Sequence, residues 1–167
     1  MRLRDLREGV AYMAEFSANA LQTIEPGQSL VFTTFPRDRE MGFIVWEPSL
    51  NSILLRGIVA PSYGCPCQEN RFAQYYASFS ANMQIPEGGT VGEISLAIAI
   101  NGETIPTSQM TVTPAAVEEL SNVSTQVYIP IPRGCCQSIT VRNISDQAIE
   151  VQNANLTLFR PDMVVMR

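Results

Sequence analysis

Four cysteines are the side chains of this chain with the clearest capacity for chemistry. They form two close pairs, Cys65 with Cys67 and Cys135 with Cys136. Two such pairs can build a four-thiolate zinc site, but zinc motifs space paired ligands by two to four residues, and these are closer. A disulfide within either pair would be strained, whereas disulfides between the loops or between subunits would not. The four residues are therefore a candidate disulfide or thiol cluster, with free thiols, cross-links and a metal site all left open.

A catalytic thiol needs a partner that stabilises its thiolate, and the composition supplies few such partners. The chain has no histidine, and its 11 cationic residues are all arginine. Without histidine there is no Ser-His-Asp or Cys-His couple and no imidazole metal ligand. Without lysine there is no Schiff base and no phosphate-loop lysine. We therefore expect a protein that is not an enzyme and that holds no cofactor and no metal ion.

The composition also limits the class of partner. A length of 167 residues suits one domain, and charged residues make up only 16% of it, below the usual quarter. Low charge suits a surface that is partly covered by other subunits. The net charge of −5 opposes binding to a phosphate backbone, and the longest uncharged apolar run, residues 94–100, is too short to cross a bilayer. We expect no nucleic-acid partner and no membrane span.

The beginning of the chain has the pattern of an anchor arm. Arginines and leucines alternate there, and an apolar pair spaced by three residues suits docking into a groove of a partner. The residues of this candidate anchor are Arg2, Leu3, Arg4, Leu6 and Arg7. The same stretch lacks the apolar core of a secretory signal, which predicts synthesis in the cytoplasm.

Alternation of apolar and polar residues dominates the rest of the chain and predicts strands. A half-buried strand is predicted over residues 72–85, and a second one ends at Asn101-Gly102, a strong signal for a hairpin turn. That second strand covers residues 94–100, and further strands are predicted at residues 30–35, 52–59, 123–131, 139–141, 148–151 and 155–159. About eight or nine short strands with frequent turns predict a β-sandwich or barrel.

Three stretches leave their structure open. Residues 4–21 fit an amphipathic helix and a strand equally well, and residues 114–120 permit a short helix with proline at its first position. Trp46 lies in an irregular stretch, where it is either part of the core or part of an exposed binding loop.

From Ala18 onward the chain resembles the trimeric jelly-roll superfamily of tumour-necrosis-factor-like and complement-head domains. It is similar above all to the bacterial branch of spore-surface filament tips and phage surface proteins. The segments that carry the resemblance are residues 22–32, 75–82, 99–106, 139–143 and 151–160. The resemblance implies a homotrimer around a three-fold axis and no enzymatic activity. The absence of a collagen-like repeat favours the phage version.

These observations lead to one reading with two alternatives. We expect an N-terminal arm over residues 1–17 and an all-β jelly-roll domain over residues 18–167. The expected function is that of a homotrimeric structural subunit on a phage particle (a head fibre, decoration or tail-associated protein), with the arm bound to a capsid or other particle protein. The alternatives are a tail module that binds a host-surface glycan or protein, and a spore-surface component. The expected final location is the surface of the virion or spore.

Overall fold

The structure is a sandwich of two antiparallel β-sheets. The computed structural model describes residues 13–35, 40–47, 49–50, 52–59 and 70–161. Within these ranges the chain forms twelve strands and one short 3-10 helix, Pro106–Ser108. The described residues include no helix with the length and apolarity needed to span a membrane. The predicted all-β jelly-roll class is confirmed, with more strands than the eight or nine expected.

Sheet A has the strand order β1–β12–β6–β10, and β2 pairs with β12 beside β1. Its strands are β1 (Met13–Ala18), β2 (Gln22–Ile24), β6 (Phe72–Gln84), β10 (Ser121–Pro132) and β12 (Ile149–Phe159). Residues 13–17 of the predicted arm therefore belong to this sheet, and residues 1–12 lie outside the described part. The division of the chain into an arm and a domain stays a prediction.

Sheet B has the strand order β3–β4–β5–β11–β7–β8, and β9 pairs with β7. Its strands are β3 (Glu40–Met41), β4 (Ile44–Glu47), β5 (Ser52–Arg56), β7 (Ile94–Ile100), β8 (Glu103–Thr104), β9 (Met110–Val112) and β11 (Cys136–Asn143). The last two strands of the fold thus lie at the centre of the sheets: β11 lies between β5 and β7, and β12 lies between β1 and β6.

The core lies between the two sheets and follows the alternation of the sequence. Along β6, alternate side chains from Ala73 to Ile85 are at most 1% exposed. They face buried side chains of β7, such as Leu96 and Ile98. Each large apolar side chain that is fully buried contributes about 1.5–3 kcal/mol, so this interior supplies most of the stability.

Two backbone features confirm or refine the predicted turns. Asn101 and Gly102 both have positive φ, 49° and 83°, as a type I′ turn requires, and they join β7 to β8. The two strands predicted at 148–151 and 155–159 are a single strand, because Asn153 (φ 52°) forms a β-bulge that shifts the register without ending the pairing with β6.

The three open stretches are settled where the structure describes them. Residues 13–18 form a strand, so the extended alternative is correct there. Residues 114–120 form turns and not a helix: Glu118 has φ 58°, and the Glu119 carboxylate accepts hydrogen bonds from the amides of Ala115 and Ala116. Trp46 belongs to the core, 6% exposed, with its ring stacked on Phe35 at 4.8 Å.

The strand predicted at residues 30–35 is not regular. This segment leaves one sheet for the other, and its backbone is shared between them. The Leu30 amide donates to the carbonyl oxygen of Val141 in sheet B, while the amides of Thr33 and Thr34 donate to that of Ser17 in sheet A. Because no single neighbour runs along its length, it forms one isolated bridge, Thr34 with Ser17, and Ser29 just before it bridges Arg142.

Candidate functional site

A row of four large side chains crosses the outer face of sheet A. In the strand register Met13 lies opposite Phe159, Phe159 opposite Tyr76, and Tyr76 opposite Tyr128. Residues opposite one another project from the same face of a sheet, and the alternate side chains beside these four, such as Tyr75, are buried in the core. We call Met13, Phe159, Tyr76 and Tyr128 the aromatic row.

The aromatic row is accessible in the single chain. Tyr128 is 66% exposed and Met13 is 60% exposed, while Tyr76 and Phe159 are half-buried. The rings of Tyr76 and Tyr128 meet edge to face, with centroids 5.1 Å apart. Phe72, 47% exposed, extends the surface next to Pro132. An exposed contiguous patch of this kind is typical of an interaction site.

The rest of this outer face is polar but nearly uncharged. Beyond the row, Phe72 and the prolines Pro130 and Pro132, most outward residues are serines, threonines and amides, including Ser17, Ser78, Ser80, Asn82, Asn122, Ser124, Gln126, Gln152, Asn155 and Thr157. Among the outward residues of the described strands of sheet A, only Glu15 and Glu150 carry a charge. Asn155 donates to Glu15 at 2.5 Å and Gln84 donates to Glu150 at 2.6 Å, so each carboxylate already has an amide partner.

The cysteines are divided between described and undescribed parts of the chain. Cys135 and Cys136 are exposed free thiols at the turn between β10 and β11. Cys65 and Cys67 lie outside the described residues, so the proposed four-cysteine cluster stays a prediction. The described residues contain no group of three or more cysteine or acidic side chains placed to bind a metal ion.

The turn with Cys135 is close to both ends of the stretch that carries the other pair. The Gly57 amide donates to the carbonyl oxygen of Cys135 at 2.6 Å, and the Arg133 amide donates to that of Arg71 at 2.9 Å. Gly57 precedes residues 60–69 and Arg71 follows them.

The candidate anchor residues Arg2, Leu3, Arg4, Leu6 and Arg7 lie outside the described part and also stay a prediction.

The aromatic row is a candidate interaction site that the alternation pattern of the sequence does not reveal. In its own strand, Tyr76 interrupts a run of polar positions, and Phe72 begins that strand on the same face. The other members belong to strands far apart in sequence, and only the register aligns them. Assigning each predicted strand an inner and an outer face, and collecting the large outer residues, would have found the set.

Comparison with known proteins supports the jelly-roll fold. No protein-family model and no curated protein matches the sequence. Among solved structures, an Eiger TNF from S. frugiperda is similar with a TM-score of 0.61 and 10% identity, over 93% of this chain and 98% of that chain. The globular domain of a zebrafish complement 1qA protein is similar with a TM-score of 0.53 and 10% identity, over 89% and 96%. The chain therefore has the jelly-roll fold that these TNF and complement head domains share.

Proposed function

We propose that this protein is a non-enzymatic structural subunit that assembles into a homotrimer through the outer face of sheet A. The aromatic row carries this proposal. It places Tyr76, Tyr128 and Phe159 side by side on a face whose described strand residues carry two charges, and tyrosine enrichment with depletion of charge marks the centre of protein interfaces.

The energetic argument favours burial of the row. Aromatic side chains bury about 150–250 Å² each and are worth about 25 cal/mol per Å² of apolar surface removed from water. Tyr128 is two-thirds exposed in the single chain, and three copies of the row would be covered in a trimer. The gain per subunit is then several kcal/mol, the scale of an interface anchor.

The polar remainder of the face favours copies of the same chain as partners. Serine, threonine, asparagine and glutamine side chains each donate and accept hydrogen bonds, so they can pair with polar groups of the neighbouring copies around a three-fold axis. The amides that already bind Glu15 and Glu150 lower the cost of bringing like charges together. The resemblance noted in the sequence implies the same assembly.

The location of this assembly is part of the proposal. We infer the surface of a phage particle, where the subunit serves as a head fibre, decoration or tail-associated protein. This inference rests on the resemblance to phage surface proteins and on the low charge. Immunogold labelling of purified particles in negative stain tests it, and particles without label would contradict it.

Light scattering coupled to size exclusion tests the assembly. The wild-type protein should elute with three times the 18.4 kDa mass of one chain. Tyr128→Glu should give a folded monomer, because it places a charge within the proposed interface and the exposed side chain is not part of the core. Val91→Glu, at an apolar side chain of similar exposure (51%) outside the row, is the matched control and should stay trimeric. A monomeric wild type, or a trimeric Tyr128→Glu, would contradict the proposal.

A further inference from the structure

A groove of about 590 Å³ lies on the other side of the molecule, where three turns meet. Its lining comes from the turn after β2, from the hairpin that contains β8, and from the end of β11 with the segment that follows it. The lining residues are Gly27, Gly102, Glu103, Thr104, Arg142, Asn143, Ile144 and Ser145. Its volume lies within the range of small-ligand sites, about 300–1,000 Å³.

The guanidinium of Arg142 is held in this groove by backbone oxygens. Its Nε and Nη2 donate to the carbonyl oxygen of Gly27 at 3.1 and 2.7 Å, and its Nη1 donates to that of Gly102. Gly27 and Gly102 both have positive φ (76° and 83°), a conformation that favours glycine. A Cβ at either position would touch the guanidinium, so the two glycines leave it open to the groove.

Two donors of Arg142 remain available for a ligand. Three of its five N–H groups bind carbonyls, and two remain. In the part of the chain that the structure describes, no carboxylate pairs with it. The fixed carbonyls orient the planar fork before any ligand arrives, which suits recognition of a carboxylate.

Two further side chains of the groove are unpaired within the described residues. The Thr104 hydroxyl and the Glu103 carboxylate are exposed and make no hydrogen bond there, whereas Asn143 and Ser145 are committed to holding the turns. The groups of the groove that remain available to bind a ligand are therefore one cationic fork, one hydroxyl and one anionic acceptor. Glu103 would repel a polyanion but would accept hydrogen bonds from neutral hydroxyl groups.

We propose that this groove binds an acidic sugar, with the ligand carboxylate on Arg142 and ring hydroxyls on Glu103 and Thr104. The proposal goes beyond self-association and does not depend on it. The groove lies beside the turn that leads into β12, whereas Phe159 of the aromatic row lies at the other end of that strand. The two ends of the strand are roughly 30 Å apart at 3.3 Å per residue. All lining residues come from one chain.

Saturation-transfer difference NMR on the full chain tests the proposal with defined probes. N-acetylneuraminic acid and glucuronic acid should bind saturably, glucose should show no saturable signal, and acetate should bind at least tenfold more weakly than the acidic sugars. Equal binding of glucose and glucuronic acid would overturn the proposal. Sulfate that competes as well as the sugars would overturn it too, and so would a short peptide whose terminal carboxylate binds more tightly.

Variants locate the site. Arg142→Lys keeps the charge but loses the planar guanidinium fork, so the affinity for the acidic sugars should fall at least tenfold. Because Arg142 also holds two turns, Thr104→Val and Glu103→Gln provide tests at exposed side chains without partners. Both variants should lower the ratio of the affinity for glucuronic acid to the affinity for acetate. Glu103→Gln should also raise the affinity for acetate severalfold, because it removes the repulsion between the two carboxylates. Glu87→Gln, at an exposed carboxylate that does not line the groove, is the matched control. An unchanged preference in both groove variants would place any binding elsewhere and overturn the proposal.

Discussion

The guanidinium carbon of Arg160 lies 4.7 Å from the centre of the Tyr75 ring, and the Arg160 side chain is completely buried. The same carbon lies 4.6 Å from the centre of the Phe43 ring, and Nη2 donates to the carbonyl oxygen of Ile58 at 2.8 Å. Tyr75 lies on β6 of sheet A, and Arg160 follows β12 of the same sheet. Phe43 precedes β4 of sheet B, and Ile58 follows β5 of that sheet. One arginine therefore joins the two sheets by cation–π contacts and a hydrogen bond.

Replacing this arginine should destabilise the fold. Arg160→Met keeps the length of the side chain but loses the cation–π contacts and leaves buried acceptors without a donor, which costs about 2–4 kcal/mol. For a domain of this size the melting temperature should fall by roughly 5–15 °C. Arg133→Met, at an exposed arginine, is the control and should melt like the wild type. Equal melting temperatures for the two variants would contradict the role given to Arg160.

The fold was predictable where one strand carries its own signal. Residues 72–85 alternate with Tyr76 as the exception, and the observed strand is Phe72–Gln84. Asn101-Gly102 marks its turn by local backbone preference alone. By contrast, β3 and β8 have two residues each, and their pairing depends on neighbours that are distant in sequence. Arg160 likewise looks like an ordinary terminal arginine until tertiary structure surrounds it.

Gly57 should tolerate no side chain. A Cβ there would lie 2.1 Å from the carbonyl oxygen of Pro132 and 2.7 Å from that of Cys135, and both oxygens belong to backbone. Gly57→Ala must therefore separate β5 from the turn after β10, at a cost of about 3 kcal/mol in urea unfolding. Gly92→Ala is the matched control, since the nearest atom to its Cβ would be 4.0 Å away. Its unfolding free energy should change by less than about 0.5 kcal/mol.

The cysteines should prove dispensable for assembly. Replacing all four by serine is expected to leave the trimer mass and any ligand binding unchanged, because no histidine or lysine is available to activate a thiol. In the native wild type, Cys135 and Cys136 should react with iodoacetamide, since both are exposed. A lower melting temperature of the serine variant would reveal cross-links, and loss of a redox or hydrolytic activity would contradict the prediction.

The N-terminal residues should matter for attachment and not for folding. Strand β1 begins at Met13, so deletion of residues 1–9 removes no described strand. The truncated chain should remain a soluble, folded trimer that no longer joins the particle. Quantitative gel analysis of purified particles measures this. Incorporation at the wild-type level would show that these residues are only a tail.

The candidate sites were less predictable than the fold for a physical reason. A surface site in a sandwich is assembled from the register of strands or from turns that meet in space. The aromatic row joins β1, β12, β6 and β10, and the Arg142 groove joins three turns. Neither grouping leaves a local spacing in the sequence, unlike a metal motif on one loop.

The central position of the last two strands determines when this fold can form. Until β11 and β12 have been synthesised, β5 and β7 lack their shared neighbour, and so do β1 and β6. The nascent chain then exposes four open strand edges, which are templates for pairing with other chains. Folding must wait for contacts between residues far apart in sequence, so it should be slow. Newly made chains should therefore depend on chaperones more than chains of equal length whose folds are built from local contacts.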